Sequence, residues 1–263
     1  MTRIIAIASQ KGGTGKTATT QNLGWELAEA GQKTLLVDFD PQANLTSGLG
    51  LNPYEDRQTI YHAMRDLDQA RSAVHPLTAN LDLLPANLDL AGAEIEMTAD
   101  PFSDRNGWLR TVLNYVNEDQ SQAGKGEVSY DFILIDCPPS LGFFTANALF
   151  AANEIIVPLQ CEPYSLEAMR QLAGIVKKVQ QQNRALRWGG IALTMYDRRI
   201  TLTEAVEEEA RGRFGDLVFE TVIPRNVSIA EASAAGEPVS LYDKRASGAK
   251  AYRKLAEEVL SRG

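Results

Sequence analysis

The run Gln10-Lys11-Gly12-Gly13-Thr14-Gly15-Lys16-Thr17 has the residue types and spacing to hold a phosphate chain. Glycines let backbone N–H groups turn inward around phosphate oxygens, and a helix opening directly behind them adds a favourable dipole. In that setting the Lys16 ammonium neutralises the β- and γ-phosphates, and the Thr17 hydroxyl ligates Mg²⁺. The common form of this loop has a glycine at the position of Gln10. This chain instead carries a second lysine, Lys11, at the loop's entrance. Lys16 already serves one nucleotide, so Lys11 is expected to reach outward across an interface and supply charge in trans, as an arginine finger does.

Two other segments bring carboxylates suited to the same chemistry. Val37-Asp38-Phe39-Asp40-Pro41 sets two carboxylates at alternate positions of a strand end, on one face. Pro41 stops the strand ladder and frees the segment to bend over a ligand. Asp40 is the candidate to orient an attacking water, and Asp38 to support Mg²⁺ or its water shell. Phe132-Ile133-Leu134-Ile135-Asp136 is four apolar residues and then a carboxylate, which is how a buried strand delivers an aspartate to a metal-bound water. The expected catalytic set is Lys11, Lys16 and Asp40, and the expected metal set is Thr17, Asp38, Asp40 and Asp136. Phosphate contacts run through Lys11, Gly12, Gly13, Thr14, Gly15, Lys16, Thr17 and the backbone of Ala18.

The elements that must position these groups follow from periodicity. Apolar, β-branched runs alternate with longer helical patterns, which predicts an α/β fold: a P-loop NTPase with a mainly parallel twisted sheet and helices on both faces. Strands are expected at Arg3–Ser9, Thr34–Phe39, Leu81–Pro85, Tyr130–Asp136, Glu154–Gln160, Ile191–Met195 and Val218–Ile223. Helices are expected at Thr17–Ala30, Leu88–Met97, Trp108–Val116, Thr145–Ala151, after a capping Ser165, and at Gly248–Leu260. Asn117–Ser129, rich in Asn, Gln, Gly and charge, reads as a surface loop. No repeat or long linker divides the chain, so residues 1–263 are expected to form one domain.

Composition narrows the class further. With 34 acidic and 26 basic residues the net charge is −8, which argues against wholesale coating of nucleic acid but allows a local basic patch. No apolar run approaches the roughly 20 residues of a membrane span. The first ten residues hold too short an apolar stretch for a signal peptide. Cys137 and Cys161 stand alone, which excludes a disulfide framework, a Cys-x-x-Cys zinc site and a cluster held by one chain. A reducing, cytoplasmic setting is expected.

The run from Lys11 to Thr17, Asp38-Phe-Asp-Pro-Gln and Ile135-Asp-Cys-Pro-Pro-Ser together resemble the deviant-Walker ATPases of the ParA/MinD group, most closely the ParA-type partition ATPases. The resemblance continues through Val157–Ala168, Thr194-Met-Tyr-Asp and Val222-Ile-Pro-Arg-Asn-Val, and is weakest over residues 52–80 and 98–130. It implies an ATP- and Mg²⁺-dependent homodimer in which Lys11 of each copy reaches the other's nucleotide. It also implies sequence-independent DNA binding by that dimer on the nucleoid, and a partner protein that stimulates hydrolysis and so positions a cargo. By motif position Asp40 is the residue needed for hydrolysis, Pro224, Arg225 and Asn226 lie against the adenine, and Arg199 is a DNA-contacting position. Ser228 stands where the group commonly has a further basic residue.

Non-specific DNA binding needs clustered cations. Residues 244–263 carry Lys244, Arg245, Lys250, Arg253, Lys254 and Arg262, an excess of four over Glu257 and Glu258, and these basics are expected to join Arg199. A MinD-like membrane-associated ATPase is the nearest rival. It would need an amphipathic helix beyond Leu260-Ser-Arg-Gly, so no membrane partner is expected. A metabolic P-loop phosphotransferase is a more distant one, disfavoured by Lys11 and the Asp-Pro-Gln segment.

Overall fold

Strand residues that point alternately to opposite faces decide the layering here. The computed structural model describes residues 1–99, 106–118, 130–162 and 165–262. Its strands are β1 (Arg3–Ile7), β2 (Thr34–Asp38), β3 (His75–Pro76), β4 (Leu81–Leu84), β5 (Phe132–Asp136), β6 (Glu154–Gln160) and β7 (Arg187–Thr194). They form one sheet in the order β3-β4-β2-β5-β1-β6-β7. Only the short β3–β4 pair is antiparallel. The helices are α1 (Lys16–Glu29), α2 (Asn44–Gly48), α3 (Ile60–Arg65), α4 (Leu90–Ala99), α5 (Trp108–Asn117), α6 (Phe143–Ala151), α7 (Ser165–Gln180), α8 (Thr201–Phe214), α9 (Val227–Ala234), α10 (Val239–Tyr242) and α11 (Ser247–Ser261).

Ile5, Ile7, Leu36 and Leu134 face one layer, where they meet Leu23 and Leu27 of α1 and Tyr252, Leu255 and Val259 of α11. Ala6, Leu35, Val37, Ile133 and Ile135 face the other, packed with Leu113 of α5, Leu149 of α6, and Leu172 and Val176 of α7. Burial on both faces explains why the middle of β2 and all of β5 are apolar up to the aspartate that ends each strand at the edge. Parallel pairing sets Asp38 beside Asp136, and Asp136 beside Ile7 of β1. All three strand ends therefore open on the crevice beside β1, where the chain's crossovers diverge to either side of the sheet.

Three expectations change. Val218–Ile223 is not a regular strand: it follows β7 with isolated bridges at Val218 and Pro224, because Phe219 and Ile223 reach the Ile191 and Leu193 carbonyls while the residues between them bulge away. Ser165 opens α7 rather than preceding it, and its buried hydroxyl bonds to no described residue, so it does not cap the helix. The strand expected at Ile191–Met195 starts earlier, at Arg187, and stops at Thr194, since Met195 turns to a positive φ of 52°. Most of the loop expected at Asn117–Ser129 lies outside the described residues; Asn117 itself ends α5.

Candidate functional site

The loop between β1 and α1 keeps its shape through two left-handed glycines, Gly13 at φ 74° and Gly15 at φ 85°, a region that favours glycine. Side chains brace it from within: the Ser9 and Thr14 hydroxyls lie 2.6 Å apart, and Thr194 Oγ1 at the end of β7 donates to the Thr14 carbonyl at 2.8 Å. Lys16 Nζ folds back to donate to the Lys11 carbonyl at 3.3 Å. Burial lowers the Lys16 pKa, opposed by the charge of Asp136. A partly desolvated ammonium attracts a polyanion more strongly than one in water does.

Asp136 is fully buried. Burial, with the charge of Asp38 added, holds its carboxyl well above the ordinary range, and the Thr17 hydroxyl and the charge of Lys16 pull the other way. Thr20 Oγ1 approaches Asp136 Oδ1 at 3.5 Å, and Oδ2 has no partner. An orphaned carboxylate oxygen next to Thr17 and below the phosphate loop is a donor set that fits a hard divalent cation. Asp40 is buried just above; its Oδ1 accepts from the Gln42 N–H at 2.9 Å.

Asp38 differs from the expectation of a metal-shell carboxylate. Its Oδ2 accepts from both the N–H and the hydroxyl of Thr46, at 2.8 and 2.7 Å, and its Oδ1 takes the Asp40 N–H at 3.3 Å. Burial raises its pKa to about 6 against these bonds. Both oxygens are thus committed to the chain itself, where they hold α2 and the Asp40 turn against the sheet. Thr46 Oγ1 also accepts the Ala86 N–H at 3.0 Å.

A cleft of about 920 Å³ opens over these groups and is lined by Gly12, Gly13, Gly15, Lys16, Thr17, Ala18, Asp40, Met195, Pro224, Arg225 and Asn226. The structure therefore brings the phosphate loop and the distant Pro224–Asn226 segment to one cavity of a size that suits a nucleotide. Asn226 is fixed by donating Nδ2 to Ser247 Oγ at 2.6 Å. The Lys11 side chain lies at the surface, where its ammonium contacts Glu162 Oε2 of its own chain at 2.6 Å.

The expected basic surface divides in two. Lys250 and Lys254, one turn apart on α11, line an open groove of about 970 Å³ with Arg198, Arg199 and Arg225, and with the acidic Asp197, Glu220, Glu257 and Glu258. Arg199 carries a close ion pair to Asp197, at 2.6 Å, which holds the Asp197 carboxyl down to about 2. Lys244 and Arg253 line a different depression with Glu26 and Glu29, because the buried Glu26 carboxylate draws Arg253 in at 3.3 Å. Arg245 and Arg262 are outside the groove, and Arg262 stacks on Phe219 at 4.1 Å. Pro224 and Arg225 belong to both the cleft and the groove.

Comparison with known proteins decides the family. A family model described as an AAA domain matches residues 2–188. The chain is 45% identical to the sporulation initiation inhibitor protein Soj of Bacillus subtilis, over all of both chains. It is 44% identical to the chromosome partitioning protein ParA of Caulobacter vibrioides, over 99% of this chain and 94% of that one. The chain belongs to the ParA/Soj family of partition ATPases. A structure described as cobyrinic acid a,c-diamide synthase from Mycobacterium smegmatis, with a bound ATP analogue and magnesium, superposes with a TM-score of 0.83 at 34% identity, covering 99% of this chain and 94% of that one.

For this ParA/Soj-family chain, sequence reasoning missed four groups that shape the site: Thr46, Thr194, Ser247 and Glu162. Thr194 acts through Thr14, Ser247 through Asn226 and Glu162 through Lys11, pairings far apart in the chain that no local pattern marks, whereas Thr46 reaches back to Asp38 within the same turn of chain. Arg198 stands next to Arg199 in the chain, and its place in the groove depends on how β7 ends. No helix among the described residues is long and apolar enough to cross a membrane.

Proposed function

We propose that this chain is an ATP-driven positioning switch: residues 1–263 act as one ATPase unit that dimerises around ATP and binds DNA without sequence preference while dimeric. The observation that carries the reading is the cleft lined by the phosphate loop, Lys16, Thr17 and Asp40, with the buried Asp136 carboxylate next to Lys16 and Thr17. In this reading the loop's N–H groups and Lys16 hold the β- and γ-phosphates, and Pro224 and Asn226 pack against the base. Asp40 orients a water whose oxygen bonds to the γ-phosphorus as the bond to the β–γ bridging oxygen breaks, giving ADP and phosphate. Thr17 and Asp136 would hold Mg²⁺, which supplies charge neutralisation to the phosphate oxygens. Lys11 of each copy adds positive charge at the other copy's nucleotide.

DNA phosphates are met by the groove of Arg198, Arg225, Lys250 and Lys254, none of which makes an ion pair with a described residue. Arg199 contributes less than its exposure suggests, since Asp197 already balances it. Because Pro224 and Arg225 wall both sites, the base-binding loop and the DNA groove shift together, which ties DNA affinity to nucleotide state. Relatives named for chromosome partitioning support the assignment to cargo positioning. In this reading the dimer works on the nucleoid, and a partner protein accelerates hydrolysis and releases it.

Two variants test the reading together. Lys16→Ala is expected to lose ATP binding by at least about 100-fold, the loss of a charge-assisted phosphate contact in a desolvated site. Asp40→Ala is expected to bind ATP, to lose hydrolysis by a similar factor, and to accumulate as a dimer in light scattering. Wild-type hydrolysis by Asp40→Ala, or a monomeric Asp40→Ala at saturating ATP and Mg²⁺, would remove the mechanism.

A further inference from the structure

Lys11 is tied at two points within its own chain. Its carbonyl accepts from Lys16 Nζ and from Ser9 Oγ, both at 3.3 Å. Its ammonium contacts Glu162 Oε2 at 2.6 Å, while Gln160 Nε2 donates to the other oxygen, Glu162 Oε1, also at 2.6 Å. Gln160 is the last residue of β6, and β6 is the neighbour of β1 in the sheet. Glu162 follows closely on that strand end, so the carboxyl edge of the sheet carries its carboxylate to the entrance of the phosphate loop.

We infer that Glu162 is an intramolecular latch: its salt bridge to Lys11 holds the entrance lysine in cis and opposes dimer formation until a second copy's triphosphate outcompetes it. This rests on the dimer reading above. The side chains are 41% and 47% exposed, so the pair is weak, of the kind that biases an equilibrium by a factor of about 1.5 to 5. That strength suits a latch. A triphosphate offers several charges in a closing interface and displaces one solvated carboxylate, yet the bias acts twice, once per copy. Opening also strips Glu162 of its cation as the two copies approach, which adds to the cost.

The test has a monomer arm and a dimer arm. In nucleotide-free protein, amine acetylation read by mass spectrometry reports the accessibility of Lys11, with the exposed Lys250 as internal reference. Glu162→Gln is expected to raise Lys11 labelling relative to Lys250 by about 1.5- to 5-fold, and Gln160→Ala in the same direction by less. With a non-hydrolysable ATP analogue and Mg²⁺, sedimentation is expected to show Glu162→Gln dimerising at about 2- to 25-fold lower protein concentration than wild type. Unchanged Lys11 labelling would overturn the latch outright. Raised labelling with an unchanged or weakened dimer, where wild type dimerises, would show the pair to be real but without regulatory effect. Failure of wild type and variant alike to dimerise while binding the analogue would sink the dimer reading, and the latch's regulatory role with it, whatever the labelling shows.

Discussion

Charges in this protein are neutralised or stranded according to where the sheet ends. At the amino-terminal edge Glu154 is buried, yet it receives two hydrogen bonds from Arg3, at 2.7 and 2.8 Å, and one from Arg187 at 3.0 Å. Burial raises its pKa, and the arginines outweigh that and hold it below the usual carboxylate value. The folded protein thus favours the ionised form. This stabilisation is complete at neutral pH and is lost as pH falls through the depressed folded value. Glu154→Gln is expected to cost about 3 kcal/mol at pH 7, because it leaves Arg3 without its counter-charge, and progressively less below about pH 4. Denaturant titrations of the variant and wild type at pH 7 and pH 3.5 check it, and an equal gap at both would show the charge to be irrelevant. At the carboxyl edge the balance reverses. Asp136 has an oxygen without a hydrogen-bond partner, and burial raises its pKa, with no arginine beside it to offset the cost as at Glu154.

Helix α11 serves two surfaces at once. Tyr252, Leu255, Ala256 and Val259 pack into the core, while Lys250 and Lys254 stand one turn apart on the rim of the groove. Each lysine that meets a DNA phosphate releases a counterion, so the double variant Lys250→Ala/Lys254→Ala is expected to flatten the slope of log K against log salt by about 2. The loss of affinity is expected to be similar on unrelated DNA sequences. An unchanged slope in a filter or anisotropy titration would take α11 out of the interface. The helix itself was legible from its apolar period. The division of its cations was not, because the partner that removes Arg253 from the groove is Glu26, 227 residues away on α1. Similarly, the strand-ending Asp38 was legible as a carboxylate at the site's edge, while its commitment to Thr46 follows from how α2 packs back on β2.

For the molecule as a whole, the sheet order brings the ends of β1, β2 and β5 to one crevice, and the Pro224–Asn226 loop closes over it. A ligand there bridges the phosphate loop, the Asp40 turn and the last third of the chain, and should stabilise the whole fold. At a nucleotide concentration 100 times the dissociation constant, mass action adds about 2.7 kcal/mol. For a chain of this length that corresponds to a Tm rise of about 5–10 °C. ATP with Mg²⁺ is expected to produce that shift in wild type, with none in Lys16→Ala. A flat Tm for wild type across nucleotide concentrations would count against this cleft as the nucleotide site.

By itself the sequence determined which chemistry was available. A glycine run with two lysines, and carboxylates closing apolar strands, are local patterns set by backbone geometry and strand period, and they hold whatever the chain does elsewhere. Only the tertiary structure decided which of those groups are at liberty to act. Asp38 is tied to Thr46, Lys11 to Glu162, Arg199 to Asp197 and Arg253 to Glu26, whereas Asp136 keeps an open oxygen. The reason is physical: a charged side chain bonds whichever opposite charge or donor packing brings within about 3 Å, and for Asp136, Lys11 and Arg253 that depends on how distant segments of the chain meet.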